Sequence, residues 1–289
     1  MAGVTPVAPA SMTDAPASSS RRGRGPLGQF AVVVLCFVFF TLPLVAMARF
    51  ALQNVPMVRL GWSTLFEKWS LSGLTKPFSD QQFRDALMLS LRLALGTVVV
   101  TMVLLLPTTL WVHLRVPKAR ALVEFLTVLP YVIPPIALVA GIIPLQPHAR
   151  WFLNSDYSLV PFYTVLALPF TFRALDAGIR ALDLKTLVDA SRSLGAGWGT
   201  TLRRALIPNL RTAIISSSFL TAAVVLGEFT IASVLLKQTL PQFTESYQQR
   251  EPQAGMGLSL LLILATTALF AALTLVTRKR GAARAATIY

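Results

Sequence analysis

The sequence predicts an all-α polytopic membrane protein with about six transmembrane helices, and three observations predict it. Only 13% of the 289 residues are charged while 54% are hydrophobic, with a mean hydropathy of +0.64; this is about half the charge that coats a soluble domain. The apolar residues arrive in blocks long enough to cross a bilayer, not in the short stripes of a soluble amphipathic helix. The net charge of +14 comes from basic residues clustered between alternate blocks. In a soluble chain that excess would point to nucleic acid. Between apolar blocks it is the signature of cytoplasmic flanks, so a lipid bilayer is the expected surrounding and no nucleic-acid partner is expected.

Residues 1–26 are rich in Ala, Pro, Ser and Thr, end in Arg21, Arg22 and Arg24, and read as a disordered cytoplasmic tail. A membrane domain follows over 27–277, and a cytoplasmic C-terminal tail over 278–289. The first apolar block, about 27–48, follows a basic stretch and closes on the small residues Ala46 and Ala48, as a cleavable signal would. It is as long as a full span, however, whereas a signal core has only about 7–15 residues, so an uncleaved first helix is expected. The second block covers 86–112, the third 122–145, the fourth 158–172, the fifth 212–236 and the sixth 256–276. The third and fourth contain Pro130, Pro134, Pro135, Pro144, Pro161 and Pro169. Proline frees backbone carbonyls that lipid cannot satisfy, so these two helices are expected inside the bundle.

Orientation follows from the basic residues. With the amino terminus inside, seventeen Lys and Arg fall on the cytoplasmic side and eight outside, with Arg92 near the outer end of the second helix. Both termini are therefore expected in the cytoplasm of a bacterial plasma (inner) membrane protein. Several function classes are disfavoured. The lone Cys36 rules out intramolecular disulfides, and His113 and His148 stand far apart, so no metal site is expected. No paired carboxylates, His pair or Ser–His arrangement occupies the spans, which argues against an intramembrane enzyme; no catalytic residue and no cofactor is expected. No Walker sequence is present, so any ATP hydrolysis belongs to another chain. No inverted pair of broken helices is evident.

The longest cytoplasmic segment, 173–211, carries the most information. Leu182, Leu187, Ala190 and Leu194 recur at helical spacing, predicting an amphipathic helix over 184–194 that ends at Gly195 and Gly197. A second short helix is expected from Trp198 to Leu206, before Pro208. Periodicity alone leaves two readings open: a knob that fits an apolar groove on a partner, or a helix pair lying on the inner leaflet.

Asp189, Ala190 and Ser191 are followed by Gly195 six residues after Asp189 and by Ile207 twelve beyond Gly195, then Pro208. This pattern resembles the cytoplasmic motif of permeases of type I binding-protein-dependent ABC importers: Glu-Ala-Ala, three residues, Gly, nine residues, Ile-x-Leu-Pro. The spacing is kept without a gap. Asp189 replaces Glu, Ser191 the second Ala, Ala205 the Ile and Ile207 the Leu, and Ala205 weakens one apolar contact. The resemblance covers roughly 80–280 and is strongest to the polyamine, ferric-ion, sulfate and molybdate permeases. It implies a permease subunit that pairs with a second, identical or different permease and receives solute from an extracytoplasmic substrate-binding protein. It also implies docking of a cytoplasmic ABC ATPase dimer on the loop. There Asp189 would meet a basic or polar group, Ala190 and Ser191 would permit close approach, and Gly195 would make the turn. The solute would be polyamine-like, or an ion or oxyanion.

Within the fifth block stands Glu228, a carboxylate costly at that depth unless paired or hydrated. Two readings stay open: a residue of the translocation path, or a structural carboxylate paired with Arg92 or capping a break near Gly227. Tyr131, Pro134 and Pro135 are candidates for a kinked wall of the same path, beside a plain packing kink. Arg92 is expected to snorkel outward, Glu124 to complement a helix dipole, His113 to lie at the interface and His148 in an outer loop. The outer connector 237–254, with Thr239, Gln242, Thr244, Gln248 and Gln249, either meets the binding protein or is simply solvated. The alternative to the importer is a stand-alone secondary transporter or channel.

Overall fold

The computed structural model describes the backbone of residues 26–53 and 69–286, with side chains except at 26, 27, 29, 145, 146 and 272–286. Residues 1–25 of the expected tail lie outside the described residues, as do Arg59 and Lys68. Among the described residues regular structure is helical, apart from an isolated bridge between Gln53 and Trp69. Five helices are long and apolar enough to cross a membrane. The chain is a polytopic all-α membrane protein. Two compact units divide it, Met1–Ala46 and Met47–Tyr289. The first contains most of α1, Pro26–Leu52, whose apolar residues occur on every side, the pattern of a helix set in hydrocarbon.

In the second unit, α2 spans Gln81–Arg115, its start capped by Asp80, which accepts from the Gln82 N–H at 2.9 Å. Thirty-five residues make a helix of about 50 Å, longer than a bilayer core, so α2 projects beyond the hydrocarbon. The expected third span at 122–145 does not form as one helix. It divides into α3, Arg120–Val132, and α4, Pro135–Ala140. Ile133 and Pro134 turn extended, with ψ of 123° and 136°, because two successive prolines offer no N–H to continue the ladder.

The fourth span, α5, runs from Leu159 to Arg180, well past its expected end at 172. Arg173 does not stop it, because the guanidinium pairs with Glu124 at 3.5 Å. After α6, Leu184–Ser193, the chain turns into a helical run from Trp198 that continues without interruption into α7, Ile207–Leu226. The expected separate helix before Pro208 is thus the start of the fifth span. Thr201–Leu206 take up the wider π hydrogen bonding just before Pro208, whose missing N–H leaves an α-helical ladder short of one donor. α7 ends at Leu226 rather than 236. Gly227 and Glu228 leave the helix, and a short α8, Thr230–Val234, follows. The expected outer connector contains a further helix, α9, Leu240–Arg250, and α10 covers Pro252–Ala286.

The centre of this unit is the mutual packing of α2, α5 and α7. Their contact is lined by small polar and small apolar residues. Thr171 and Thr221 share a hydrogen bond at 2.6 Å, Ser217 reaches Met102 Sδ at 3.8 Å, and a side chain on Gly178 would overlap Ala213. Such residues let helices approach closely where lipid provides no hydrophobic drive. α5 is the interior helix, with Tyr163, Phe172 and Leu175 almost fully buried. The same expectation fails for α3, whose only buried residue is Thr127. Leu122, Phe125, Leu126 and Leu129 make its outer face apolar enough to stand in hydrocarbon in spite of Pro130.

Candidate functional site

The segment carrying Asp189 to Pro208 stands at the end of the bundle where α2 finishes and α7 begins. Asp183 starts α6 by accepting from the Thr186 N–H at 3.2 Å and the Thr186 hydroxyl at 2.6 Å. These bonds hold its carboxyl below the usual carboxylate range. Leu184 and Val188 bury one face of α6 beside Leu110, Ile179, Leu206 and Leu210, while Asp189 and Ala190 remain exposed on the other. Ser191 lies between, its hydroxyl 2.9 Å from that of the buried Thr201. The helix ends in a Schellman turn. The Gly195 N–H donates to the Arg192 carbonyl at 2.9 Å and the Ala196 N–H to the Ser191 carbonyl at 3.2 Å. Gly195 adopts φ +80° with open space around it. Its glycine therefore serves backbone conformation, not close approach. Leu194, 88% exposed, is left projecting at the turn. Ile207 and Pro208 are exposed in the first turn of α7.

Beneath this segment lies a charged cluster that sequence reasoning missed. Asp176 on α5 is buried and accepts two hydrogen bonds from Arg120 of α3, Nε to Oδ1 at 2.6 Å and Nη2 to Oδ2 at 2.8 Å. Arg180 approaches Oδ2 at 3.0 Å and His113 of α2 approaches Oδ1 at 3.1 Å. The other ring nitrogen of His113 is 2.8 Å from the Thr109 carbonyl. His113, expected at an interface, is a member of this cluster. Glu124, expected to complement a dipole, instead pairs with Arg120 at 3.8 Å and Arg173 at 3.5 Å. Asp176 carries a signal the sequence reading passed over: it follows Arg173 by three residues and precedes Arg180 by four, both spacings that share a helix face.

Glu228 occupies the break between α7 and α8. Its Oε1 accepts from the Ile231 N–H at 2.8 Å and its Oε2 from the Ala232 N–H at 3.4 Å, so the carboxylate caps α8. Among the described residues it makes no ion pair with Arg92. Arg92 is exposed and lines a polar cavity of about 720 Å³ with Gln82, Asp85, Asp156 and Arg250. Tyr131 meets Phe170 edge to face at 5.3 Å, and both Tyr131 and Pro134 are exposed. The structure does not bring Glu228 together with Tyr131, Pro134 and Pro135 into one cavity among those found. His148 is exposed. In the outer connector, Thr239 and Thr244 are buried and α9 packs Phe243 and Tyr247 against Phe83 of α2. Among the described residues no group of His, Cys, Asp and Glu is arranged to hold a metal ion.

Residues 105–279 match the family described as binding-protein-dependent transport system inner membrane component. The chain is 30% identical over 248 residues to the molybdenum transport system permease protein ModB of Mycobacterium tuberculosis, spanning 78% of this chain and 85% of that protein. It is 29% identical over 221 residues to the sulfate transport system permease protein CysW of Synechocystis, spanning 69% and 77%. Among solved structures it is similar to a chain of a bacterial ABC transporter involved in the import of the acidic polysaccharide alginate. The TM-score is 0.64 over 86% of this chain and 93% of that one, at 14% identity, a likeness of fold alone.

Proposed function

We propose, from the premise that this chain belongs to the family of binding-protein-dependent transport system inner membrane components and is a type I ABC importer permease, that it forms half of the membrane pathway for a small oxyanion. In this reading a second permease completes the pathway and an extracytoplasmic binding protein delivers the solute. A separate ATPase dimer docks on α6 and the Gly195 turn. Both termini and α6 face the cytoplasm. The oxyanion class rests on the two relatives named for molybdenum and sulfate transport.

The observation that carries the docking reading is the exposed outer face of α6. Its inner face is anchored on α2 and α7, while Asp189, Ala190 and the projecting Leu194 are exposed. An anchored helix with an open face transmits a partner's movement to the helices beneath it, and alternation between two packings is the physical form of such transport. The cap on α8 gives Glu228 a structural task beside the bundle core; contact with solute is a separate proposition.

The test is recovery of the tagged full chain from its native membrane in mild detergent, with co-purifying proteins identified by mass spectrometry. A Walker-containing ATPase together with a second permease supports the reading. A chain recovered alone, under conditions that preserve other complexes, overturns it in favour of a stand-alone carrier. Uptake of labelled molybdate and sulfate by cells with and without the gene tests the solute class; unchanged uptake of both would remove it.

A further inference from the structure

Between the last turns of α2 and the run from Trp198 lies an apolar slot of about 640 Å³, lined by Pro107, Leu110, Leu114, Leu202 and Leu206. Gly199 borders it with open space where a side chain would stand. A second cavity of about 450 Å³ shares Leu114, Arg115 and Trp198 with the slot, and its remaining wall carries Lys185, Val188, Asp189 and Arg192. Three cations thus face one carboxylate. Among the described residues none of the three forms an ion pair. Arg115 and Arg192 both stand on the Trp198 ring, their guanidinium carbons 5.6 and 5.1 Å from its centroid. Cation–π attraction is weak at exposed positions, so two like charges gathered on one indole gain most from an anion between them.

We propose that the two cavities are one binding site for an anionic phospholipid of the leaflet bordering the α6 end of the bundle. An acyl chain fills the slot, and the phosphate sits among Arg115, Lys185 and Arg192. Position supports this occupant. Pro107 and Leu110 belong to the apolar helix α2, and Trp111, Trp198 and Arg115 complete the wall, so the lining passes from apolar side chains through indoles to cations, the order in which a lipid presents its tail and headgroup. Water in a slot so lined is unfavourable, and a lipid tail is the apolar occupant at hand. Basic pockets at the ends of membrane helices hold acidic headgroups. A soluble anion would leave the slot open. The site stands on the cavities alone and does not depend on ATPase docking.

The experiment uses the purified full chain in nanodiscs containing phosphatidylglycerol or phosphatidylcholine brominated on the acyl chain, which quenches indole fluorescence on contact. Trp62, Trp69 and Trp151 are replaced by Phe, so that Trp111 and Trp198 alone report on the slot. Phosphatidylglycerol is expected to quench at the lower mole fraction. Each of Arg115→Gln, Lys185→Gln and Arg192→Gln is expected to reduce that preference about fivefold. Arg203→Gln and Arg204→Gln, exposed on the same run but outside both cavities, are expected to keep it and control for general surface charge. Equal quenching by the two lipids overturns the proposal, as does a preference that survives all three cavity substitutions or falls equally in the controls. Displacement of the brominated lipid by glycerol phosphate, a headgroup without chains, assigns the cations to a soluble anion instead. Lipid preference unchanged in the triple variant, with loss of a co-purifying ATPase, assigns them to that protein.

Discussion

Glu228 satisfies its carboxylate with the backbone of the helix it starts, taking the N–H groups of Ile231 and Ala232. Asp176, more deeply buried, takes Arg120 from α3, Arg180 from its own helix and His113 from α2. The first arrangement spans one turn of chain; the second ties three helices together. Local capping secures the break between α7 and α8 through backbone bonds, with Tyr163 of α5 close beside the carboxylate. The Asp176 cluster instead locks the end of the bundle on which α6 rests. In an apolar surrounding both carboxylates must be satisfied, but only one of them becomes a long-range structural bond.

The strongest test of that difference is removal of Asp176. Asp176→Ala takes from Arg120 its two short hydrogen bonds and leaves it only the 3.8 Å approach to Glu124, and the thermal stability of the detergent-purified chain is expected to fall by about 3 kcal/mol. A second substitution, Arg120→Met, is expected to restore part of the loss, because the unpaired charge is the main cost. A double variant as unstable as the sum of the two singles would mean that the cluster is not coupled. Glu228→Leu, which orphans two N–H groups, is expected to cost about 1–3 kcal/mol, and Glu228→Gln, which retains one acceptor, less. If Glu228→Leu proves the more damaging of the two removals, the contrast between local and long-range carboxylates fails.

Sequence alone located Glu228 because it interrupts an apolar block, and one of the readings left open there, a cap near Gly227, is what the geometry displays. Asp176 escaped notice because its helix was expected to end at 172, which placed it among loop charges. The boundary error and the missed cluster are one error: Arg173 was read as a stop, whereas α5 carries its charges beyond the apolar window by pairing them. The bounds of α6 were legible almost to the residue, because Gly195 marks its end, but its inner face was not: of the expected stripe Leu182, Leu187, Ala190 and Leu194, the last two are exposed, while Leu184 and Val188 turn inward. The break at Ile133–Pro134 was visible as proline but not as a division of the span, because proline kinks and proline breaks look alike until tertiary packing chooses between them. The apolar slot beside Trp198 lay beyond sequence reading, since it exists only where two separate helices diverge.

Gly195 extends the comparison to the turn after α6, where strain rather than charge is local. Its φ of +80° with no neighbour to collide with means that Gly195→Ala costs backbone energy only, about 1 kcal/mol. Gly195→Asn is expected to cost less, because Asn tolerates the left-handed region. Melting should barely move in either, while amide exchange at Gly195 and Ala196 should quicken in the Ala variant. A large fall in melting temperature would show that the turn is packed against something the structure leaves open.

The smallest expected effect is a pH dependence at the other end of the same helix. Asp183 is a local cap like Glu228, but exposed to solvent. Its hydrogen bonds from the Thr186 hydroxyl and N–H hold the carboxyl below its ordinary value. A depressed carboxyl contributes stability that is fully present above the unfolded value, about 3.9, and lost as pH falls through the lower folded value. Amide protection in the first turn of α6 should therefore stay level from neutral pH to about pH 4 and decline below it. Asp183→Asn keeps an accepting oxygen and should flatten that decline, while Asp183→Ala should weaken the turn at every pH. Exchange at the Gly195 turn, which contains no titrating group, should follow neither change. Protection already falling between pH 7 and pH 5, or a profile in Asp183→Asn that matches the unsubstituted chain, would remove Asp183 as the source and with it the picture of α6 as a helix fixed at each end by its own local device.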